Sequence, residues 1–132
     1  MTLRYGTDTS VLVRLLTGHP PDEYSRCLRE LTRLVEDDHV EILVSNQVIG
    51  EAYIALQHHY GISRVDARVA LAQVLTSGLV APLNGQAALD ILSQQDGAGL
   101  LDRLIAEDYS RQVHETLTLD RRMASLPGVR RL

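Results

Sequence analysis

The chain has no lysine, no phenylalanine and no tryptophan, and only one cysteine. Each absence narrows what it can do. Without lysine, any mechanism that requires that side chain is excluded, and all 13 basic residues are arginine. The planar arginine fork suits phosphate recognition, although genomic base composition is the plainer explanation. The single Cys27 cannot form an internal disulfide, which points to a reducing compartment. No apolar run approaches the roughly 18–20 residues a membrane span needs. The opening MTLRYGTDTS lacks the apolar stretch of a secretory signal. The expectation is a cytoplasmic protein with no membrane attachment.

What is present fits one domain over residues 1–132. The length is too short for two ordinary domains, and a hydrophobic fraction of 45% is ordinary for a globular chain. A net charge of −4 argues mildly against a general polyanion-binding surface. It leaves room for a metal-dependent site, because clustered carboxylates count against the total and bound cations offset them.

The pattern alternates strands and helices. Residues 2–7 read as a weak strand, with Gly6 and polar flanks counting against it. Asp8, Thr9 and Ser10 offer capping groups before VLVRLL, which runs to Gly18 and the pair Pro20-Pro21. A helix fits 22–36, where Cys27, Leu28, Leu31, Leu34 and Val35 recur at helical spacing. Residues 40–44 form the clearest strand. Ser45 or Asn46 can cap a helix over 46–60 with Val48, Ile49, Ala52, Tyr53 and Leu56 on its apolar side, stopped by Gly61. Ser63 and Asp66 make a capping box for a helix over 64–76. Short strands follow at 79–83 and 115–119, helices at 86–95 and 100–112, a short helix at DRRMASL, and an edge strand at VRRL. This alternation implies a three-layer α/β/α sandwich around a central, mostly parallel sheet. In such folds function gathers at the carboxyl ends of the strands.

Four acids occupy positions of interest in that scheme: Asp8, Glu51, Asp102 and Asp120. Asp8 and Asp120 follow strands, Asp102 lies in the first turn of a helix, and Glu51 lies about two turns into another. Each has a plain alternative. Asp8 and Asp120 are natural helix caps, Asp102 is favoured by the helix dipole, and Glu51 can be a surface residue. Together they read differently. Two unit charges about 4 Å apart at an effective dielectric of about 20 repel by about 4 kcal/mol. Carboxylates so placed must hold protons or a cation. Mg2+ or Mn2+ takes oxygen ligands and keeps waters for a substrate phosphate. Such ions can activate water for an in-line phosphoryl displacement. Thr9 and Ser10 could touch a metal-bound water or a phosphate oxygen, with capping as the plainer role.

The segments carrying these acids resemble a known family. DTSVLVRLLTG (8–18) is similar to the opening of PIN-domain proteins, in particular the VapC-type toxins of toxin–antitoxin pairs. SNQVIGEAYIAL (45–56) resembles the family's second motif with Glu51 at its acidic position. LLDRLIAEDYS (100–110) resembles the third with Asp102, and TLTLDRRMASLPGVRRL (116–132) resembles the C-terminal pattern with Asp120. The likeness spans nearly the whole chain, in order. It implies a PIN-like sandwich and an endoribonuclease dependent on Mg2+ or Mn2+. Asp8 and Asp102 would be the surest metal ligands, with Glu51 and Asp120 completing the pocket. A homodimer and a VapB-like antitoxin are implied as partners, with the apolar faces of the early helices as dimer contacts. Two departures stand out: Gly99 occupies a position that is acidic in many relatives, and the first strand is less apolar than usual.

Arg121 and Arg122, next to Asp120, are the best candidates for contacting RNA phosphates. The plain alternative for these and for the other arginine clusters is a solvated face. Base stacking would fall to tyrosine or arginine, which suits a protein reading RNA shape and backbone. His58 and His59 are adjacent and lack the i,i+4 spacing of a zinc pair. No G-x-S-x-G, Walker or G-x-G-x-x-G segment occurs. An aspartyl-phosphate phosphatase would want an acid where Ser10 stands, and a phospho-receiver would want the absent lysine. A PIN-like protein kept for binding RNA or its antitoxin, with weak catalysis, is the non-enzymatic alternative.

Overall fold

The computed structural model describes residues 2–132, and its elements follow the alternation closely. Strand β1 (Arg4–Gly6) leads through α1 (Thr9–Thr17) and α2 (Pro21–Glu36) to β2 (Glu41–Val44). Helices α3 (Asn46–Tyr60) and α4 (Arg64–Leu75) precede β3 (Ala81–Pro82). Helices α5 (Gln86–Ser93) and α6 (Leu100–Ser110) precede β4 (Thr116–Thr118). A single 3-10 turn (Met123–Ser125) then joins β4 to β5 (Val129–Arg131). The chain is an α/β protein in which every strand pairing is parallel.

Local chemistry sets the boundaries. Asp8 caps α1, and Gly18 closes it in the left-handed region at φ 64°, where a side chain would be strained. Ser45 Oγ accepts from the Val48 amide at 3.2 Å and starts α3, and Gly61 ends it, also at φ 64°. Ser63 Oγ accepts from the Asp66 amide at 3.1 Å and starts α4. Pro21 occupies the first turn of α2, where its missing N–H costs nothing. The strand over 79–83 shrinks to Ala81–Pro82 because Pro82 has no N–H to give the ladder. DRRMASL contracts to the one 3-10 turn.

Sheet organisation departs from the expectation of one continuous sheet. β2 lies between β1 and β3, with Tyr5 opposite Ile42 and Leu43 opposite Ala81. β4 and β5 form a separate two-stranded ladder, Thr116 opposite Val129. The strands themselves explain the split. Ile42, Leu43 and Val44 are all buried, the mark of a strand covered on both faces. Arg4, Tyr5 and Gly6 are all exposed, so β1 has no apolar side to cover and little to extend the sheet beyond it.

One apolar cluster runs through the helices and β2. Leu12, Val44, Ile49, Leu56, Leu71 and Leu100 are its largest fully buried members. Helix α3 is its axis and packs against α1, α4 and α6. At Gly50, α3 and α6 come so close that a Cβ there would lie 2.7 Å from Leu101 Cδ2. Among the described residues, no helix is long and apolar enough to cross a membrane.

Candidate functional site

Asp102 is the third residue of α6, in the first turn and half-buried. Gly99 precedes the helix and supplies no capping side chain. The helix N-terminus favours a negative charge there, yet the carboxyl is held above its ordinary range. Burial is the larger cause, and the charge of Asp120 is the second. α6 packs against β4, and this brings Asp120, two residues past that strand, within electrostatic reach of the helix start.

Asp120 is exposed and fixed by two local hydrogen bonds. Its amide donates to Thr118 Oγ1 at 3.0 Å, and its Oδ1 accepts from the Met123 amide at 2.9 Å. The capping role therefore exists, and it occupies one carboxylate oxygen. Among the described residues, no hydrogen bond reaches Oδ2.

Asp8 is arranged in a similar way at the start of α1. Its Oδ1 accepts from Ser10 Oγ at 2.5 Å and from the Val11 amide at 3.3 Å. The Ser10 hydroxyl first, and the Val11 amide second, hold this exposed carboxyl below its ordinary range. Ser10 thus serves Asp8 directly. Thr9 is half-buried at the first position of the helix. Glu51 is exposed on the second turn of α3. It borders a groove of about 560 Å³ between α3 and α6, lined also by Asn46, Gly50, Ile54, Ile105 and Tyr109. Gly50, its neighbour, faces Leu101, the neighbour of Asp102.

Of the four acids, then, Asp102 and Asp120 lie within electrostatic reach of each other. Among the described residues, no three Asp, Glu, His or Cys side chains form a group able to hold a metal. Asp8 and Glu51 are not gathered into one cage with the pair. A hydrated Mg2+ still fits two carboxylates, because it commonly binds one or two of them and fills its remaining positions with water and phosphate oxygens.

Arg121 and Arg122 follow Asp120 and are exposed. Neither belongs to an ion pair among the described residues, whereas Arg14, Arg33, Arg111 and Arg130 each hold a carboxylate within 3.0 Å.

A polar network beside the groove escaped the sequence reading. Asn46 Nδ2 donates to Leu104 O and to Asp108 Oδ1, both at 3.0 Å. Asn84 Nδ2 donates to Glu107 Oε1 and Asp108 Oδ1, both at 2.8 Å. Arg111 Nε closes on Glu107 Oε2 at 2.6 Å. Only the Glu107–Arg111 spacing of four was visible beforehand. Asn46 resembled a helix cap and nothing more.

No protein-family model matches the chain, and no curated protein matches it.

Proposed function

We propose that this chain is a metal-dependent endoribonuclease of the PIN-like, VapC type, a three-layer α/β/α sandwich acting as the toxin of a toxin–antitoxin pair. The Asp102–Asp120 pair carries the reading. Two carboxylates, from the first turn of α6 and the carboxyl end of β4, stand near enough for one to raise the other. Such a pair favours protons or a divalent cation over bare charge. The order of Asp8, Glu51, Asp102 and Asp120, and the four segments around them, support the same reading.

Asp102 and Asp120 would hold Mg2+ or Mn2+. When bound, the ion supplies positive charge to a phosphodiester and makes a water nucleophilic near neutral pH. The chain's own residues do the positioning. Asp120 Oδ1 is anchored on the Met123 amide, which leaves Oδ2 directed by a fixed carboxylate plane. Arg121 and Arg122 present guanidinium groups beside it to hold the RNA backbone. Asp8, oriented by Ser10, and Glu51, on the groove wall, complete the acidic set. RNA is the substrate, and a VapB-like antitoxin is the partner. The homodimer is better served by α3 and α6, where Ile54, Ile105 and Tyr109 are bare, than by the early helices.

Calorimetric titration with Mn2+, alongside cleavage of a mixed RNA pool, tests the reading. The wild type should bind Mn2+ and cut RNA only in its presence or that of Mg2+. Asp102→Asn and Asp8→Asn should lose cleavage while keeping the far-UV spectrum of the folded chain. Cleavage by both variants at the wild-type rate would overturn the assignment.

A second reading is a catalytically weak protein of the same fold that binds RNA or its antitoxin. It is favoured by Asp8, whose Oδ1 is held by two local donors. Binding that persists in chelator, without cleavage in Mn2+, selects it.

A further inference from the structure

We propose that a second copy of this chain seats the bare leucine face of its β4–β5 ladder in the groove between α3 and α6, and offers its own groove in return. The inference rests on the homodimer proposed above and not on the nuclease chemistry. One half of the contact is a row of side chains on α6. Leu101, Ile105 and Tyr109 are spaced by four, which lines them along one side of the helix. Val113, whose amide still bonds Tyr109 O at 2.8 Å, extends the row past the helix end. All four are between 37% and 50% exposed, and with Ile54 of α3 they line the groove of about 560 Å³. Among the described residues, the charged members of that lining are Glu51 and Asp108, and none is basic.

The other half is the outer face of the β4–β5 ladder. Leu119, Leu132 and Leu117 are the most exposed large apolar side chains among the described residues, at 76%, 70% and 54%. Leu117 lies opposite Arg130 in the parallel register, so the two share a face, and the Glu115–Arg130 ion pair at 2.6 Å lies along it. Leu119 and Leu132 stand two residues past Leu117 and Arg130, the spacing of that same face. The opposite face holds Thr116, which is buried, and Val129, which is half-buried. A parallel ladder is ordinarily covered on both sides. Here the crossover from β4 to β5 supplies only one 3-10 turn, and the leucines stay bare. Residues 117–132 carry four arginines against the single acid Asp120.

Charge and shape choose the pairing. Groove against groove would bring Glu51 and Asp108 of both copies together with no cation in the lining, and would set two concavities face to face. Leucine face against leucine face would gather the arginines of both copies. Groove against leucine face sets acid against base, which orients the encounter, and fills a concave apolar surface with projecting apolar side chains. Val113 ends the groove and Glu115, two residues on, begins the leucine face, so the two patches adjoin. One two-fold axis can then engage both at once, and the contact is made twice in each dimer.

Sedimentation velocity of the full chain over a wide concentration range, without metal or RNA, reads the association. The wild type should form a dimer. Leu119→Asp and Ile105→Asp should each weaken it by about thirtyfold or more, the scale of a hot-spot loss. Both are surface positions, so the far-UV spectrum should not change. Leu132→Asp and Tyr109→Asp repeat the two arms if either variant folds poorly. An equimolar mixture of Leu119→Asp and Ile105→Asp decides the pairing. In the mixed dimer one of the two contacts is intact on both sides, and the other takes both lesions, which cost less together than apart. The mixture should therefore associate more tightly than either variant alone. A wild-type monomer, a species larger than a dimer, a dimer untouched by either substitution, or a mixture no tighter than its parts would overturn the pairing. RNA cleavage is read separately, and its absence would overturn the nuclease chemistry while leaving the pairing in place.

Discussion

Asp120 raises the proton affinity of Asp102 across the gap between the end of β4 and the start of α6. Asp102 is half-buried and Asp120 exposed. Burial is the first cause at Asp102 and the neighbouring charge the second. A group with its folded pKa above its unfolded value binds more protons when folded. The resulting stability is full below the ordinary aspartate range and is lost as pH rises through the raised value.

Removing the Asp120 charge should reduce that loss. Asp120→Asn keeps an oxygen able to accept from the Met123 amide, so the turn it caps survives. At pH 7 without metal, the variant should be more stable than wild type by about 0.5 kcal/mol, allowing for solvent screening at a half-exposed pair. That corresponds to a rise of about 2 °C in thermal midpoint for a chain of this size. At pH 3 Asp102, held above its ordinary range, is largely protonated and the difference should vanish. Asp8 behaves oppositely. Its carboxyl is held low by Ser10, so its contribution is present above the ordinary range and fades as pH falls through the lowered value. Melting curves from pH 3 to 7 check both slopes. An Asp120→Asn variant no more stable than wild type at pH 7 would mean that the two charges do not meet.

Arg121 and Arg122 have no ion-pair partner among the described residues and stand beside Asp120. If they hold RNA phosphates, replacing both with Gln should weaken RNA binding at low salt and flatten its salt dependence. For single-stranded RNA each lost phosphate contact lowers the log–log slope by about 0.7, so the pair should lower it by about 1.4. The thermal midpoint should not move, because surface substitutions without partners fall within about 0.5 kcal/mol. Filter binding from 50 to 300 mM salt reads the slope. An unchanged slope would place the RNA elsewhere, with Arg26 and Arg29 on α2 as the next arginines to replace.

Much of the fold was legible in the sequence because its boundaries are written in local chemistry. Gly18 and Gly61 need the left-handed region, Ser45 and Ser63 reach the amides three residues on, and the VEILV run has the composition of a covered strand. Sheet continuity was not legible. It depends on whether β1, which is exposed throughout, has anything to pair with on its free side, and a strand pattern of three residues does not carry that. The site was legible in part. Asp102 senses the charge of Asp120. Asp8 caps α1, and Glu51 lies on an exposed face of α3. The Asn46–Asp108 link was invisible, because residues 62 apart declare no pairing in one sequence.

Arg68 offers a check on the core that is independent of the site. It lies on α4 at 9% exposure, over the ring of Tyr53 at 5.9 Å from its centroid, with Nη1 buried and unpartnered. Among the described residues no carboxylate pairs with it. The stacked ring gives back part of the desolvation cost, worth about 0.5–2 kcal/mol for such contacts, while the orphan N–H works against it. A buried charge without a matched partner is often replaced by an apolar residue of similar length at no loss. Arg68→Met should therefore hold stability within about 1 kcal/mol of wild type or raise it. Arg68→Ala, which removes the stem packed on Tyr53 as well, should lower it by about 1–3 kcal/mol. Urea unfolding of the two variants separates packing from charge. A large loss in Arg68→Met would show that the guanidinium itself holds α3 and α4 together.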